Sequence, residues 1–219
     1  MEKCAALIDR NPEGLRGKWL ETYQGDLLCL ELGCGKGRFT CGLAESEPGK
    51  LIVALEKVPD AMIIALERVR DAELANVRFI DGDAAKINEL FANGEVGRLY
   101  INFCDPWPKS RDAKLRLTAP AFLRRYADAL TEDGQIHFKT DNRPLFDWSV
   151  EQLSAEGWAL SEVSNDYHSK IMTDYEAKFV EEGIQINHLI ATKCPGTKGT
   201  AAGEPERLRN ASLSDARNC

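Results

Sequence analysis

The stretch LLCLELGCGKGRFT, residues 27–40, decides how the rest of the chain is read. Leu27 to Glu31 is a short apolar run of strand character. Gly33, Gly35 and Gly37 follow it directly, ahead of an amphipathic segment that begins near Arg38. Strand, glycine turn and helix in that order open a βαβ unit, and glycines at the turn let backbone approach a ligand at the strand's carboxyl end. A dinucleotide loop needs G-x-G-x-x-G. Here the third glycine comes one residue early and position 38 is Arg, so two phosphates on the helix terminus are disfavoured. No Lys-Ser or Lys-Thr pair follows the glycines, which removes a P-loop. The G-x-G-x-G spacing, with Glu31 closing the strand, suits a ligand whose charged end carries an amine and a sulfonium. A purely structural glycine turn is the alternative reading.

Outward from this turn, short apolar runs alternate with longer amphipathic ones. LIVALE (51–56), VRFID (77–81), RLYINF (98–103) and QIHFKT (135–140) are separated by helical patterns at 38–47, 59–72, 84–91 and 113–130, and a further one follows at 143–156. This rhythm predicts an α/β fold: a parallel sheet with helices on both faces, since right-handed crossovers place each helix over the strands it joins. Trp158 to Val163 and Ile184 to Ala191 read as two last strands with no periodic helix between them, and so as an antiparallel pair. The expected sheet is seven-stranded and mostly parallel, its last strand antiparallel. Residues 1–25 read as an arm packing Leu15, Trp19 and Leu20 onto the sheet edge, 26–193 as the domain, and 194–219 as a mobile tail with Pro195, Gly196, Gly199 and Gly203.

A length of 219 residues fits one domain with appendages. The formal charge of −7, from 28 Lys and Arg against 35 Asp and Glu, argues against a surface coated all round for nucleic acid and leaves room for one basic face. The longest apolar runs, LIVAL and AMIIAL, fall far short of the ~18 residues of a membrane span. With no secretory h-region at the amino terminus, a cytoplasmic location and no membrane partner are expected. Seven cysteines without C-x-x-C spacing read as reduced, mostly structural thiols, and no metal site is expected.

Two further strand ends are acidic. Glu56 stands nineteen residues after Gly37, where a carboxylate can accept from both hydroxyls of a ribose; the alternative is the start of a solvated loop. Asp83 can accept from an adenine amino group or cap the helix after it, and both roles can coexist. Three acidic strand ends after one glycine turn describe adenosine held across the carboxyl edge of a parallel sheet, and S-adenosylmethionine fits these features better than NAD or ATP.

The fourth strand runs into NFCDPWPKSRDAKLRL, residues 102–117. Asp105 falls where open α/β sheets place reactive groups. Pro106 and Pro108 stiffen the loop around Trp107, which either stacks on a base or plugs the end of the sheet. Within 109–125, Lys109, Arg111, Lys114, Arg116, Arg124 and Arg125 stand against Asp112 alone, a local +5 that leaves −12 for the remainder. Such a cluster is either a solvated helix face or a set of phosphate contacts. Thr140-Asp141-Asn142 and TDYEAKF (173–179) add hydrogen-bonding side chains.

Together, ELGCGKG (31–37), Glu56, DPWPK (105–109) with its trailing cations, Thr140-Asp141 and T-x-Y-E-x-K-F (173–179) resemble the bacterial tRNA (guanine-N7-)-methyltransferase family over roughly residues 9–192. The resemblance implies a Rossmann-like class I methyltransferase that uses S-adenosylmethionine to methylate guanosine 46 in the tRNA variable loop; a monomer or a homodimer is expected. It places Glu31, Glu56, Asp83 and Asp105 on cofactor-binding positions. Lys109, Asp141, Thr173, Asp174, Tyr175 and Glu176 fall on substrate-binding positions. Two departures stand out: Asp112 where the family commonly has His, and Leu115-Arg116 where it has a basic pair.

The chemistry is consistent with that resemblance. Guanine N7 already carries a lone pair, so attack on a sulfonium methyl needs no proton removed first, and positioning and electrostatics should dominate. The product guanine is cationic, which makes a carboxylate near the base useful; Asp105 is the first candidate for the catalytic group and Asp141 the second. The base must be presented outward, with residues 109–125 holding the backbone. Other readings are a methyltransferase acting on a different nucleic-acid base, although Trp107 occupies the second proline position of N/D-P-P-Y/F/W, and a silent tRNA-binding or partner-binding module. Residues 165–178 are expected to be mobile without substrate, and tRNA binding to be modest and steeply salt-sensitive.

Overall fold

The central strands, β1 (Leu28–Leu32) and β2 (Leu51–Glu56), are buried at every position, as their uninterrupted apolar runs require when helices cover both faces of a sheet. The computed structural model describes Cys4 and residues 6–200. Five more strands join them: β3 (Val77–Asp81), β4 (Val96–Asn102), β5 (Leu130–Thr140), β6 (Ala159–Ser164) and β7 (Asn187–Thr192). The order across the sheet is β3-β2-β1-β4-β5-β7-β6. Strands β1 to β5 are parallel, and β7 runs antiparallel to both β5 and β6, the arrangement expected from the sequence.

Alternation along each strand sends side chains to two cores. Leu28, Leu30 and Leu32 face α4 (Ile87–Leu90), α5 (Pro120–Ala129) and α6 (Arg143–Ala155), whose Leu90, Leu123, Tyr126, Phe146 and Leu153 close over them. Cys29, Ile52 and Ala54 face the opposite way, under Phe39 and Leu43 of α2 (Arg38–Ser46) and Met62, Ala65 and Val69 of α3 (Pro59–Asp71). Each large side chain buried in these layers contributes about 1.5–3 kcal/mol. Among the described residues no helix is long and apolar enough to cross a membrane, and all six cysteines are unbridged.

Three expectations change. The arm makes two contacts: Leu7 to Asp9 meet the sheet edge, with Phe79 N donating to Leu7 O at 2.8 Å and Asp9 N to Phe79 O at 3.0 Å. Trp19, at the start of α1 (Trp19–Tyr23), goes under one face, fully buried, stacked on Phe91 at 5.5 Å and donating its indole N–H to Leu90 O. An indole buried this way needs an acceptor, and the end of α4 has a free carbonyl to supply it.

The second change is a helix between β6 and β7, α7 (Asp174–Glu181), where no periodic helix is expected. Thr173 and Glu176 form a reciprocal capping box at its start. The T-x-x-E signature stands in the sequence, but it coincides with a binding motif, and the helix is too short for periodicity to reveal. The third concerns the tail. Residues 194–200 pack on the end of α6: Lys198 N donates to Glu156 O, Lys198 Nζ to Ala155 O, and Thr197 Oγ1 to Gly157 O, satisfying carbonyls that a helix end leaves open. Residues 201–219 of the expected tail lie outside the described residues.

Candidate active site

The strand order reverses direction between β1 and β4, and in open α/β sheets the crevice at that switch lies at the carboxyl ends of the two strands. One hydrogen bond crosses it: Asn102 Nδ2, at the end of β4, donates to Glu31 Oε1 on β1 at 3.2 Å. Thr40 Oγ1 of α2 donates to the other oxygen at 2.6 Å. Glu31 is buried, and burial raises its carboxyl pKa to about 6 against the pull of Thr40, Asn102 and Lys139. Asn102 Oδ1 is a buried acceptor without a protein partner among the described residues. The floor of the crevice is thus two acceptors set for a donor or a cation.

Above this floor is a cavity of about 330 Å³ lined by Glu31, Gly33, Cys34, Gly35, Lys36, Arg38, Phe39, Ala61, Asn102, Phe103, Thr173, Asp174, Tyr175 and Lys178. Gly33 and Gly35 have φ of +74° and +56°, and a Cβ on either would meet nothing within 4 Å, so both border open space. Gly37 serves packing instead, since its Cβ would lie 2.7 Å from Ala65 Cβ and only a glycine lets α2 approach α3 this closely. The glycine triplet therefore divides into two positions that border open space and one packing position.

Glu56 braces the loop from below. Its carboxylate accepts from Gly35 N at 2.8 Å and from Lys57 N and Val58 N, both at 2.9 Å, and it does not line the cavity. Asp83 is exposed and accepts from Ala85 N at 2.8 Å, the capping role that its position before a helix leads one to expect.

The structure brings Thr173, Asp174 and Tyr175 onto the cavity from a distant part of the chain. Arg68 on α3 holds Asp174 with two hydrogen bonds, at 2.8 and 3.1 Å. Beneath them Glu176 is fully buried against Lys139 Nζ at 2.6 Å. Lys139 also donates to Ser169 Oγ and Ile171 O, and lies 4.9 Å from the centre of the Phe39 ring. Burial pushes the Lys139 ammonium down and Glu176 opposes it. Of the four residues in this motif, Tyr175 is the exposed one, while Thr173 and Glu176 are occupied as cap and ion pair.

Asp105, Lys109 and Asp141 lie outside the cavity lining, on the loops leaving β4 and β5. Asp105 and Lys109 are exposed, and none of the three side chains makes a hydrogen bond or ion pair among the described residues. Both carboxylates act on Cys104, whose thiol is pushed up to about 12 by burial first and by Asp105 and Asp141 after it. They therefore share one neighbourhood. The backbone here is strained, since Phe103 and Trp107 have φ of +52° and +43°, a region that bulky residues rarely adopt.

The basic cluster is smaller in effect than its +5 suggests. Arg124 pairs with buried Glu156 at 2.9 Å, and Arg116 is turned inward on the loop itself. Lys109, Arg111 and Lys114 stay exposed. Residues that sequence reasoning missed are Asn102, Phe103 and Lys139, all at strand ends; Asn102 closing an apolar strand beside Asp105 was the available signal for the first.

A family model described as "Putative methyltransferase" matches residues 26–189. Curated relatives named tRNA (guanine-N(7)-)-methyltransferase include one from Lachnoclostridium phytofermentans, 42% identical over 191 residues that cover 84% of this chain and 89% of the relative. Another, from Listeria monocytogenes, is 39% identical over 197 residues, 87% of this chain and 92% of the relative. A solved structure described as the 16S rRNA methyltransferase KamB has a TM-score of 0.63 at 19% identity, covering 85% of this chain and 94% of that one, a likeness of fold alone. With the crevice at the β1/β4 switch, the glycine loop and near-full-length relatives in agreement, the chain belongs to the tRNA (guanine-N(7)-)-methyltransferase family.

Proposed function

We propose that this chain transfers a methyl group from S-adenosylmethionine to N7 of guanosine 46 in the variable loop of tRNA. The observation that carries the reading is the crevice between β1 and β4: Glu31 and the Asn102 oxygen form an acceptor floor under an open glycine loop, with two carboxylates on the neighbouring loops that have no protein partner among the described residues. S-adenosylmethionine, when bound, supplies an electrophilic methyl on a sulfonium. Glu31 and Asn102 suit its amine, Gly33 and Gly35 give its chain room, and Asp83, two residues past the end of β3, is placed to accept from an adenine amino group. Glu56 acts mainly by ordering the loop, with one lone-pair direction left for a ribose hydroxyl.

Asp105, with Asp141 beside it, holds the Watson–Crick edge of the guanine and favours the positive charge that develops as N7 is alkylated. No general base is required, and none is offered by the two interior histidines: burial lowers His137 to about 3 and His188 to about 4, so both are neutral at physiological pH. Exposed Lys109, Arg111 and Lys114 contact phosphates, and Tyr175 offers a ring for stacking.

The test is transfer of labelled methyl to a tRNA carrying guanosine 46, with the product nucleoside mapped. 7-Methylguanosine at that position is expected. Methylation of a different base or nucleic acid, with none at that guanine, overturns the reading.

A further inference from the structure

Arg116 belongs by sequence to the cations at 109–125, where phosphate contact is the natural assignment. Its guanidinium is engaged elsewhere. Nε donates to Pro106 O and Nη2 to Trp107 O, both at 3.0 Å, and its centre lies 4.4 Å from the Trp148 ring centroid. Trp148 stands on α6, and Thr118, two residues beyond Arg116, is tied to the same helix by a buried 2.7 Å hydrogen bond to Ser149.

The loop it grips needs holding. Two of its residues are proline and donate no backbone hydrogen bond, and Trp107 is held at φ +43°. Bulky residues stay in such conformations only where surroundings over-determine them. A planar fork that donates to two successive carbonyls while its centre lies over an indole does this, and an ammonium, which lacks the fork, cannot hold both carbonyls in that geometry.

We propose that Arg116 is a positioning residue: it clamps the 105–109 loop to α6 so that Asp105 is presented to the guanine, and it is not a phosphate contact. This rests on the reading of the 105–109 loop as the reacting loop.

Arg116→Lys separates the two roles because it keeps the charge and loses the fork. At saturating tRNA and S-adenosylmethionine, kcat is expected to fall about 10²-fold, the penalty of a misplaced reacting group. The KM for S-adenosylmethionine stays within about twofold because Arg116 does not line the cavity. The slope of log Kd for tRNA against log salt stays at the wild-type value. A phosphate contact predicts the opposite: near wild-type turnover for Arg116→Lys and a slope reduced by about one in Arg116→Met. Either of those results overturns the inference.

Trp148 gives an independent arm. Trp148→Phe keeps a ring face and retains turnover, whereas Trp148→Leu loses about tenfold; equal turnover of the two removes the stacking role. Failure of this inference is distinguishable from failure of the reading beneath it. Wild-type protein that methylates no tRNA, or Asp105→Asn with full turnover, defeats the functional reading. An active wild type, an impaired Asp105→Asn and an unimpaired Arg116→Lys defeat the clamp alone.

Discussion

The two halves of the sheet's carboxyl edge are built on opposite principles. On the β1-β2-β3 side the acidic groups are already held by protein donors: Glu31 by Thr40 and Asn102, Glu56 by three backbone N–H groups, Asp83 by its cap. On the β4-β5 side Asp105 and Asp141 have no hydrogen-bond partner among the described residues, and the backbone near Asp105 is strained. A small, invariant ligand is served by a preorganised pocket, because every group fixed beforehand is entropy not lost on binding. On the function proposed above, a macromolecular substrate that must turn one base outward is served by solvent-reachable groups not already committed to protein partners.

The halves are joined through Lys139, which reaches from β5 to Glu176 and Ile171 beneath the cavity's far wall. Lys139→Met leaves the Glu176 carboxylate buried without its cation and should lower stability by about 3–5 kcal/mol, read by urea denaturation. Melting unchanged from wild type would show that the wall docks without this pair.

Asp105→Ala should reduce kcat by about 10²–10³-fold while S-adenosylmethionine binding by calorimetry is unchanged. A matching loss of cofactor affinity would mean that the two halves are not functionally separate.

Glu31 offers a pH-dependent distinction. Burial raises its carboxyl from the ordinary 4.5 to about 6, so in the ligand-free state the folded protein holds this proton more tightly than the unfolded chain. Ligand-free stability should therefore decline by about 2 kcal/mol as pH rises through that window and level off above it. A cationic ligand prefers the carboxylate, so affinity for S-adenosylmethionine should rise over the same window. Glu31→Gln removes both trends; parallel rather than opposed trends in the wild type would refute the pairing with a cation.

The smallest effect is expected at Lys109. Lys109→Ala should weaken tRNA binding by less than about tenfold and reduce the salt slope by about one, leaving kcat at saturation near wild type. An unchanged slope would show that the lysine meets no phosphate.

Much of the fold was legible because its signals are local. The alternation at 27–156 needs only side-chain periodicity, and the glycine loop needs only backbone freedom at a strand end. What was less legible turns on partner choice. Thr173-x-x-Glu176 reads as a binding motif and is also a capping box and half of a buried ion pair. Trp19 reads as an edge contact, but the acceptor for its indole N–H lies under one face of the sheet. Arg116 reads as one of six equivalent cations, and the carbonyls that single it out belong to a loop whose strained shape is not written in residue type.

Sequence by itself determined the strand–helix order, the acidic ends of the first three strands and the open glycine turn at the head of the sheet, because each follows from the chemistry of neighbouring residues. Tertiary structure decided which carboxylates are consumed by the protein and which stay free, and which cations are turned inward and which stay exposed. A polar group's role is set by the donor or acceptor nearest to it in space, and the decisive ones here come from segments far away in the chain, as Lys139 and Glu176 do.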